Sequence, residues 1–240
     1  MTFALRKGCY VVGQADGPAE LAACQRLRYR CFFGGTGIDA DRFDPLCQHL
    51  MVADVAGRLL ATVRIALWRD PAAIVEGYAA QFYNLSGLAC APGPMVELGR
   101  FCVDPTVLDA DVLRVLWGAL ARLVDEAGAQ FLFGCTSFTG TDPAPYGAAF
   151  AMLSARHCGP EGQRPVVKAL ETVRFDVAAH DSRDALRQMP SLLRSYLSMG
   201  GWVSDHAVVD RDLQTLHVFT CVPVAAIPAG RVRALRAVAS

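Results

Sequence analysis

A strand–helix–strand pattern between residues 95 and 135 places the strongest constraint on how this chain folds. The run Glu97-Leu98-Gly99-Arg100-Phe101-Cys102-Val103 is apolar apart from one glutamate and one arginine, and prolines lie on both sides of it. Apolar residues then recur at helical spacing over Asp109–Ala127, Gly128 ends that helix, and Phe131–Cys135 is again apolar. The pattern predicts two strands joined by a helix. It also places two charges on a buried strand, where each needs a partner.

Composition excludes several classes of protein. Hydrophobic residues make up 53% of the 240 residues, charged residues make up 19%, and the formal net charge is zero. These values fit neither a disordered chain nor a basic nucleic-acid binder. No uncharged apolar run approaches the roughly 20 residues of a spanning helix, and the N-terminus lacks a signal-peptide core. We expect a cytoplasmic protein with a single domain over residues 1–240 and a C-terminal extension from about residue 159.

The cysteines and histidines do not indicate a metal site. Nine cysteines occur without a C-x-x-C pair, so neither a disulfide framework nor a zinc site is predicted. Cys47 and His49 lie at ligand spacing, but no second pair completes a site. We expect no bound metal, and cysteines that act as small buried apolar residues.

Helical and strand periodicity predicts the remaining elements. A helix is expected over Pro18–Phe33, with Arg28 off its apolar face in either a solvated or a functional role. A hairpin over Gln48–Asp54 and Leu59–Leu67 carries Arg64, which needs an acidic partner. The other predictions are strands at Cys9–Val12, near Val173, at Trp202-Val203 and at Gln214–Val222, a helical turn at Ala72–Glu76, a polar turn at 137–143, and helices at Pro143–His157 and Pro190–Met199.

Together these elements predict an α/β fold, a mixed central sheet with helices on both faces. The order of an antiparallel hairpin followed by strand, helix and strand resembles the GNAT acyltransferase architecture. This resemblance implies that the strands at 95–103 and 131–135 splay apart to admit an acyl thioester.

The turn after residue 103 bears on the acyl donor. GNAT enzymes that use coenzyme A usually carry a Q/R-x-x-G-x-G/A loop there, and its N–H groups hold the pyrophosphate. Residues 104–111 contain no glycine, and their three aspartates would repel a diphosphate near the start of the helix. We therefore expect the donor to be a phosphopantetheine thioester on acyl carrier protein, with no other cofactor.

Spaced charged residues resemble the invariant positions of acyl-homoserine-lactone synthases, which are GNAT-fold enzymes that use acyl carrier protein. The residues that carry this resemblance are Arg28, Phe32, Asp41, Asp44, Arg64 and Glu97-x-x-Arg100-Phe101-x-Val103.

The chain is more similar still to the L-ornithine Nα-acyltransferase family, over residues 20–222. The resemblance lies in residues 43–50, 97–105 and 132–143, and in Asp210–Thr215, which is similar to Asp-Pro-Asp-Phe-Asn-Thr. It implies transfer of a (3-hydroxy)fatty acyl group from acyl carrier protein to the α-amine of ornithine. The product would be a lyso-ornithine lipid, which implies peripheral contact with the inner face of the membrane.

The resemblance and the chemistry of amide formation give the residues expected roles. Glu97 is the base or the amine-orienting group, backbone N–H groups of 99–102 polarise the thioester carbonyl, and Arg100 fixes Glu97 and neighbouring carboxylates. Each candidate also has a purely structural reading, as a buried ion pair, a loop acid, a core histidine or a helix cap. The candidates for substrate binding are Arg28, Phe32, Asp41, Asp44, His49, Arg64, Ser137, Thr139 and Asp142.

Three alternatives remain open at this point. The acceptor could be glutamine or another amino acid, the product could be an acyl-homoserine-lactone signal, or the chain could bind acyl carrier protein without catalysis. The 132–143 stretch has no obvious counterpart in the lactone synthases and speaks against the second. Acyl carrier protein is strongly acidic, so we expect an arginine patch to bind it, with Arg114, Arg122, Arg156 and Arg164 as candidates. No nucleic-acid partner is expected.

Overall fold

The computed structural model describes residues 4–176 and 181–239. Within these ranges the strands are β1 (Ala4–Lys7), β2 (Tyr10–Gln14), β3 (Gln48–Asp54), β4 (Leu59–Trp68), β5 (Tyr83–Asn84), β6 (Met95–Val103), β7 (Phe131–Thr139), β8 (Val166–Val167), β9 (Thr172–Arg174), β10 (Trp202–Asp210) and β11 (Thr215–Pro223). The α-helices there are α1 (Pro18–Phe32), α2 (Ser86–Ala89), α3 (Ala110–Ala127), α4 (Gly147–Arg156), α5 (Ser182–Gln188), α6 (Ser191–Ser198) and α7 (Ala229–Ala239). The predicted α/β class, a mixed sheet flanked by helices, is confirmed.

The chain divides into two compact units. The first comprises residues 4–67, 98–128 and 229–239 of the described ranges. Its strands follow the order β1-β2-β3-β4-β6, and β1 to β4 pair antiparallel. The N–H of Asp104 donates to the carbonyl of Leu60, so β6 also runs antiparallel to β4. Helix α3 packs against α7, β2 and β3, and α1 packs against β3.

The second unit comprises residues 68–97, 129–176 and 181–228. Its strand order is β6-β7-β11-β10-β9. From β7 onward, each strand pairs antiparallel with the next one in this order. The N–H of Gln130 donates to the carbonyl of Pro94, so β6 and β7 begin side by side, as parallel strands do. A separate pair, β5 with β8, and the helices α4, α5 and α6 complete this unit. Whether β6 and β7 splay apart stays a prediction.

Apolar runs located most elements correctly. The predicted bounds of β3 and of the strand at 95–103 agree with the structure, and Asp109 caps the N-terminus of α3 by accepting from the N–H of Asp111. The helical turn near Ala72 is a 3-10 helix over Pro71–Glu76. The α6 helix and the strand near Val173 are also present.

The largest departures from the predictions concern three boundaries and one environment. Strand β7 continues to Thr139 because it pairs with β11 along its whole length, so residues 137–139 are strand and not turn. Strand β10 continues to Asp210 because it pairs with β11. The polar residues Ser204-Asp205-His206 interrupt the apolar pattern, so the sequence predicted only Trp202-Val203. The helix expected from Pro143 begins as a 3-10 helix, Ala144–Tyr146, and becomes α4 only at Gly147. The cysteines are all unbridged, but Cys9 and Cys90 are exposed and not buried.

No helix within the described ranges has the length and apolar character needed to cross a bilayer.

Candidate active site

Six charged side chains of the first unit form a closed ring in which arginines and aspartates alternate. Each aspartate is bonded to two arginines and each arginine to two aspartates, so the three positive and three negative charges cancel. Helix α1, the loop before β3, β4 and β6 supply the members. We call this set the arginine–aspartate ring: Arg28, Asp39, Arg100, Asp41, Arg64 and Asp44.

Arg28 is the most deeply buried member of the ring. It is four residues after the buried Cys24 on α1, and its side chain is fully buried, so the solvated reading is wrong. Its Nε donates to Asp39 Oδ2 at 2.8 Å, and its Nη1 donates to Asp44 Oδ1 at 2.8 Å. Its Nη2 donates to the carbonyl oxygen of Asp39 at 2.6 Å. The planar fork of a guanidinium suits this set of acceptors.

Arg64 and Arg100 close the ring from β4 and β6. Arg64 Nη1 donates to Asp41 Oδ1 at 2.5 Å and to Asp44 Oδ1 at 2.8 Å, which confirms that this arginine has acidic partners. Arg100 Nε donates to Asp39 Oδ2 at 2.8 Å, and its Nη2 approaches Asp41 Oδ2 at 3.5 Å. The Asp41 side chain is 23% exposed, against 7% and 4% for Asp39 and Asp44. Asp41 is therefore the carboxylate of the ring best placed to meet a ligand from solvent.

The arginines of the ring favour the ionised form of Asp39 and Asp44. Burial alone would raise the pKa of Asp39, but the guanidiniums of Arg100 and Arg28 outweigh burial and hold that pKa below its usual value. Burial also opposes the ionisation of Asp44, and hydrogen bonds from Arg28 and Arg64 likewise lower its pKa.

His49 and Phe32, two further predicted site residues, lie beside the ring. His49 Nε2 donates to the carbonyl oxygen of Asp44 at 3.1 Å, so its buried Nδ1 is an acceptor that has no partner among the described residues. Burial lowers the pKa of His49, so the imidazole is neutral. The guanidinium carbon of Arg100 lies 5.9 Å from the centre of the Phe32 ring, close enough for a cation–π contact.

The backbone of β6 departs from regular strand geometry at Arg100. Its φ is 53°, a left-handed value that a side chain with a Cβ adopts at a cost of about 1–2 kcal/mol. Strain of this kind is held in place by surrounding contacts, here the bonds of Arg100 to Asp39 and Asp41. The role predicted for Arg100 in fixing Glu97 stays a prediction.

Glu97 lies in the second unit, where its carboxylate holds the segment that follows β4. It is 5% exposed and accepts from the N–H of Ala79 at 2.7 Å and the N–H of Tyr78 at 3.3 Å. Trp68 Nε1, at the end of β4, donates to the same carboxylate at 3.3 Å. A Cβ at Gly77 would lie 2.3 Å from Glu97 Oε2, so only glycine leaves room for the carboxylate there. Sequence patterns gave no sign of these partners, since they come from an irregular segment.

The structure places Ser137 and Thr139 on β7 and Asp142 just after it. Ser137 and Thr139 are both exposed and alternate with the buried Thr136 and Phe138. The Asp142 carboxylate accepts from the N–H of Ala144, so it caps the 3-10 helix before α4. Substrate binding by these three residues stays a prediction.

Sequence reasoning missed two groups of polar residues. Asp39 was not among the predicted site residues, although it joins Arg28 to Arg100. In the second unit, the buried Tyr83 donates to the carbonyl oxygen of His217 at 2.8 Å, and its ring lies 5.3 Å from that of His206. The Nε2 atoms of both histidines are buried and have no hydrogen-bond partner among the described residues. Nothing in the local sequence marks this cluster, because β5, β10 and β11 bring it together.

Within the described ranges, no three histidine, cysteine or acidic side chains are grouped as metal ligands would be.

Comparison with known proteins defines the class of protein. Residues 27–118 match the Acetyltransferase (GNAT) domain. The fold is similar to that of FeeM, an N-acyl amino acid synthase from uncultured soil microbes, with a TM-score of 0.52 and 11% identity over 90% of this chain and 92% of that one. It is also similar to TofI in an apo form, with a TM-score of 0.51 and 16% identity over 99% of each chain. The fold is therefore that of the GNAT class.

Sequence relatives narrow this class further. L-ornithine N(alpha)-acyltransferase of Rhodobacter capsulatus is 36% identical over 229 residues, which cover 87% of this chain and 88% of that protein. The enzyme of the same name from Brucella abortus is 29% identical and covers 91% and 86%. The chain belongs to the L-ornithine N(alpha)-acyltransferase family.

Proposed function

We propose that this protein transfers a (3-hydroxy)fatty acyl group from acyl carrier protein to the α-amine of L-ornithine, giving a lyso-ornithine lipid. The observation that carries the proposal is the 36% identity to the Rhodobacter capsulatus enzyme over nearly the whole of both chains. The partly exposed carboxylate of Asp41 and the carboxylate of Glu97 support it, because the acceptor carries two ammonium groups.

The reaction needs a neutral amine and a stabilised oxyanion. The α-ammonium first loses one proton, and its nitrogen then attacks the thioester carbonyl. The C–N bond forms and the C–S bond breaks, while the nitrogen loses a second proton and the pantetheine thiolate takes up a proton. Glu97 is assigned as the group that accepts the proton or orients the amine, since backbone and indole N–H groups hold its carboxylate in one position. Backbone N–H groups of 99–102 are assigned to the carbonyl oxygen, and the left-handed turn at Arg100 changes the directions of neighbouring N–H groups.

The ring is assigned to the acceptor. Asp41, its most exposed carboxylate, would bind an ammonium group of ornithine, and the neutral His49 Nδ1 would accept a hydrogen bond from the same substrate. The donor is assigned to acyl carrier protein because residues 104–111 offer no glycine-rich loop for a pyrophosphate. An amphiphilic product also favours contact with a membrane surface.

The test is incubation of the purified protein with 3-hydroxyacyl carrier protein and a panel of L-ornithine, L-glutamine and S-adenosylmethionine, followed by mass spectrometry. The expected product is N-acylornithine, with thiol release only when an amine is present. Acylglutamine alone would reassign the acceptor, and an acyl lactone formed from S-adenosylmethionine would make the chain a signal synthase. Carrier-protein binding without thiol release for any amine would contradict catalysis.

The matched variant Glu97→Gln keeps the size of the side chain but removes its charge. Loss of a general base lowers turnover by about 100-fold or more, and we expect a decrease of that order in kcat. Circular dichroism and thermal unfolding show whether the variant folds. A folded Glu97→Gln protein with near-normal kcat would refute the role of Glu97.

A further inference from the structure

A pocket in the first unit, outside the arginine–aspartate ring, carries a surplus of positive charge. It has a volume of about 630 Å³ and lies between α1, the start of β4 and the turn after β6. Its charged lining consists of Arg26, Arg30, Arg58 and Asp104, three cations against one anion. We call this surface the α1 pocket.

Only part of the positive charge is neutralised within the α1 pocket. Arg30 Nη2 donates to Asp104 Oδ2 at 2.9 Å, and Arg58 Nη2 lies 3.8 Å from the same oxygen. Both arginine side chains remain about half exposed, at 50% and 54%. The exposed Arg26 makes no hydrogen bond or ion pair with any residue in the described ranges.

The framework of the pocket holds these cations in place. The Asp104 side chain is only 6% exposed, and its Oδ1 accepts from both the N–H and the hydroxyl of Thr106. Thr106 in turn accepts from Arg58 Nη2 at 2.6 Å. Because Asp104 is fixed, Arg30 and Arg58 are pre-oriented toward the same opening, which lowers the entropy lost on binding an anion.

The location of the α1 pocket relates it to the acyl donor. Asp104 and Thr106 belong to the turn directly after β6, the strand whose backbone N–H groups at 99–102 are assigned to the thioester carbonyl. By contrast, Arg114 and Arg122 on α3 pair with Asp111 and Glu126 one turn away, which reduces their charge toward a partner.

We propose that the α1 pocket is the docking surface for the acidic acyl carrier protein, with Arg26, Arg30 and Arg58 meeting its carboxylates and its pantetheine phosphate. This inference rests on the proposed function, which assigns acyl carrier protein as the acyl donor. Charge complementarity is its basis: a positive surface increases the association rate of an acidic partner and makes binding sensitive to salt.

The test compares Arg26→Glu with Arg26→Lys, because Arg26 has no hydrogen bond or ion pair to lose among the described residues. For 3-hydroxyacyl carrier protein, KM should rise about tenfold in R26E and stay within about twofold in R26K, with kcat unchanged. For 3-hydroxyacyl-pantetheine, which has the thioester without the protein, KM should not change. The salt dependence of KM should also be weaker in R26E than in the unsubstituted protein.

Arg233→Glu is the matched control. Arg233 lies on α7 in the same unit, is exposed, and likewise makes no hydrogen bond or ion pair with the described residues. R233E changes the net charge by the same amount as R26E. It should leave KM for both donors at the value of the unsubstituted protein. The inference would be overturned if KM for the carrier-protein donor rose as much in R233E as in R26E, or did not rise in R26E. It would also be overturned if KM rose equally for both donors in R26E.

Direct binding separates this inference from the proposed function. Labelled 3-hydroxyacyl carrier protein is titrated with each variant. Its Kd should be about tenfold higher with R26E than with R233E. Tight binding that depends on Arg26, without any acylated amine as product, would contradict the proposed function alone. Binding that is equally tight in R26E, or no binding to the unsubstituted protein, would contradict the docking surface.

Discussion

Arg28 shows what a buried charge costs and how this protein meets that cost. Its guanidinium has no exposure to water, and its hydrogen bonds go to two carboxylates and one carbonyl of the ring. A fully bonded ion pair in the interior contributes little compared with apolar residues of the same volume, whereas removal of one partner leaves an uncompensated charge. Removal of one member of the ring should therefore lower the free energy of unfolding by more than the intact ring contributes to it.

Arg28→Met is expected to lower the free energy of unfolding by about 3–5 kcal/mol, because Asp39 and Asp44 each lose a cationic partner. Arg28→Lys should give an intermediate loss, since an ammonium cannot reproduce the planar fork. Urea unfolding followed by circular dichroism measures both variants. A loss below about 1 kcal/mol for R28M would show that the ring is not tightly held.

The hairpin of β10 and β11 turns through a residue with unusual backbone geometry. Gln214 has a φ of 52°, in the left-handed region, and the Asp210 carboxylate accepts from the N–H groups of Asp212 and Leu213. The stretch Asp210–Thr215, one basis of the family resemblance, therefore forms and stabilises the turn between β10 and β11. The motif that this stretch resembles, Asp-Pro-Asp-Phe-Asn-Thr, has asparagine at the position of Gln214, and asparagine adopts the left-handed region more readily.

Gln214→Asn is therefore expected to stabilise the protein, by about 0.5–1 kcal/mol, because it relieves backbone strain without changing a buried contact. Gln214→Gly is the companion variant and should act in the same direction. Thermal and urea unfolding measure the change. The explanation fails if neither variant is more stable than the starting protein.

The predictability of each element depended on where its stabilising contacts come from. β3, β4 and β6 were located to within a residue since their apolar runs are continuous along the chain. β10 was mostly missed because its polar Ser204 and His206 are buried, which the local sequence does not indicate. The acidic partners of Arg64 could be expected from the need to pair a buried charge. The donors to Glu97 could not, since they depend on the tertiary course of residues 68–79.

Across the whole molecule, the titratable groups point to a protein that loses stability in acid. Burial lowers the pKa values of His49, His157, His206 and His217, that of His217 to about 3. Asp39 and Asp44 also have lowered pKa values, because arginines outweigh their burial. In every case the unfolded chain binds protons at a higher pH than the folded one does.

The free energy of unfolding should therefore be nearly constant between about pH 7 and 8 and fall as the pH drops below about 6.5, where histidines of the unfolded chain become protonated. Each buried histidine adds a slope of up to about 1.4 kcal/mol per pH unit, and the aspartates add to it below about pH 4. Urea unfolding at pH 7.5, 6.5, 5.5 and 4.5 measures this dependence. Constant stability from pH 7.5 to 4.5 would contradict the neutral, buried state of the histidines.

The closed arrangement of the arginine–aspartate ring also limits how this chain can evolve. Each carboxylate of the ring serves two guanidiniums, so a single substitution disturbs both neighbours, and a second at an adjacent position can restore the balance of charge. Mutational paths through the ring should be epistatic, with neighbouring positions changing together. A library that randomises adjacent pairs should therefore yield folded proteins with altered acceptors more often than one that randomises single positions.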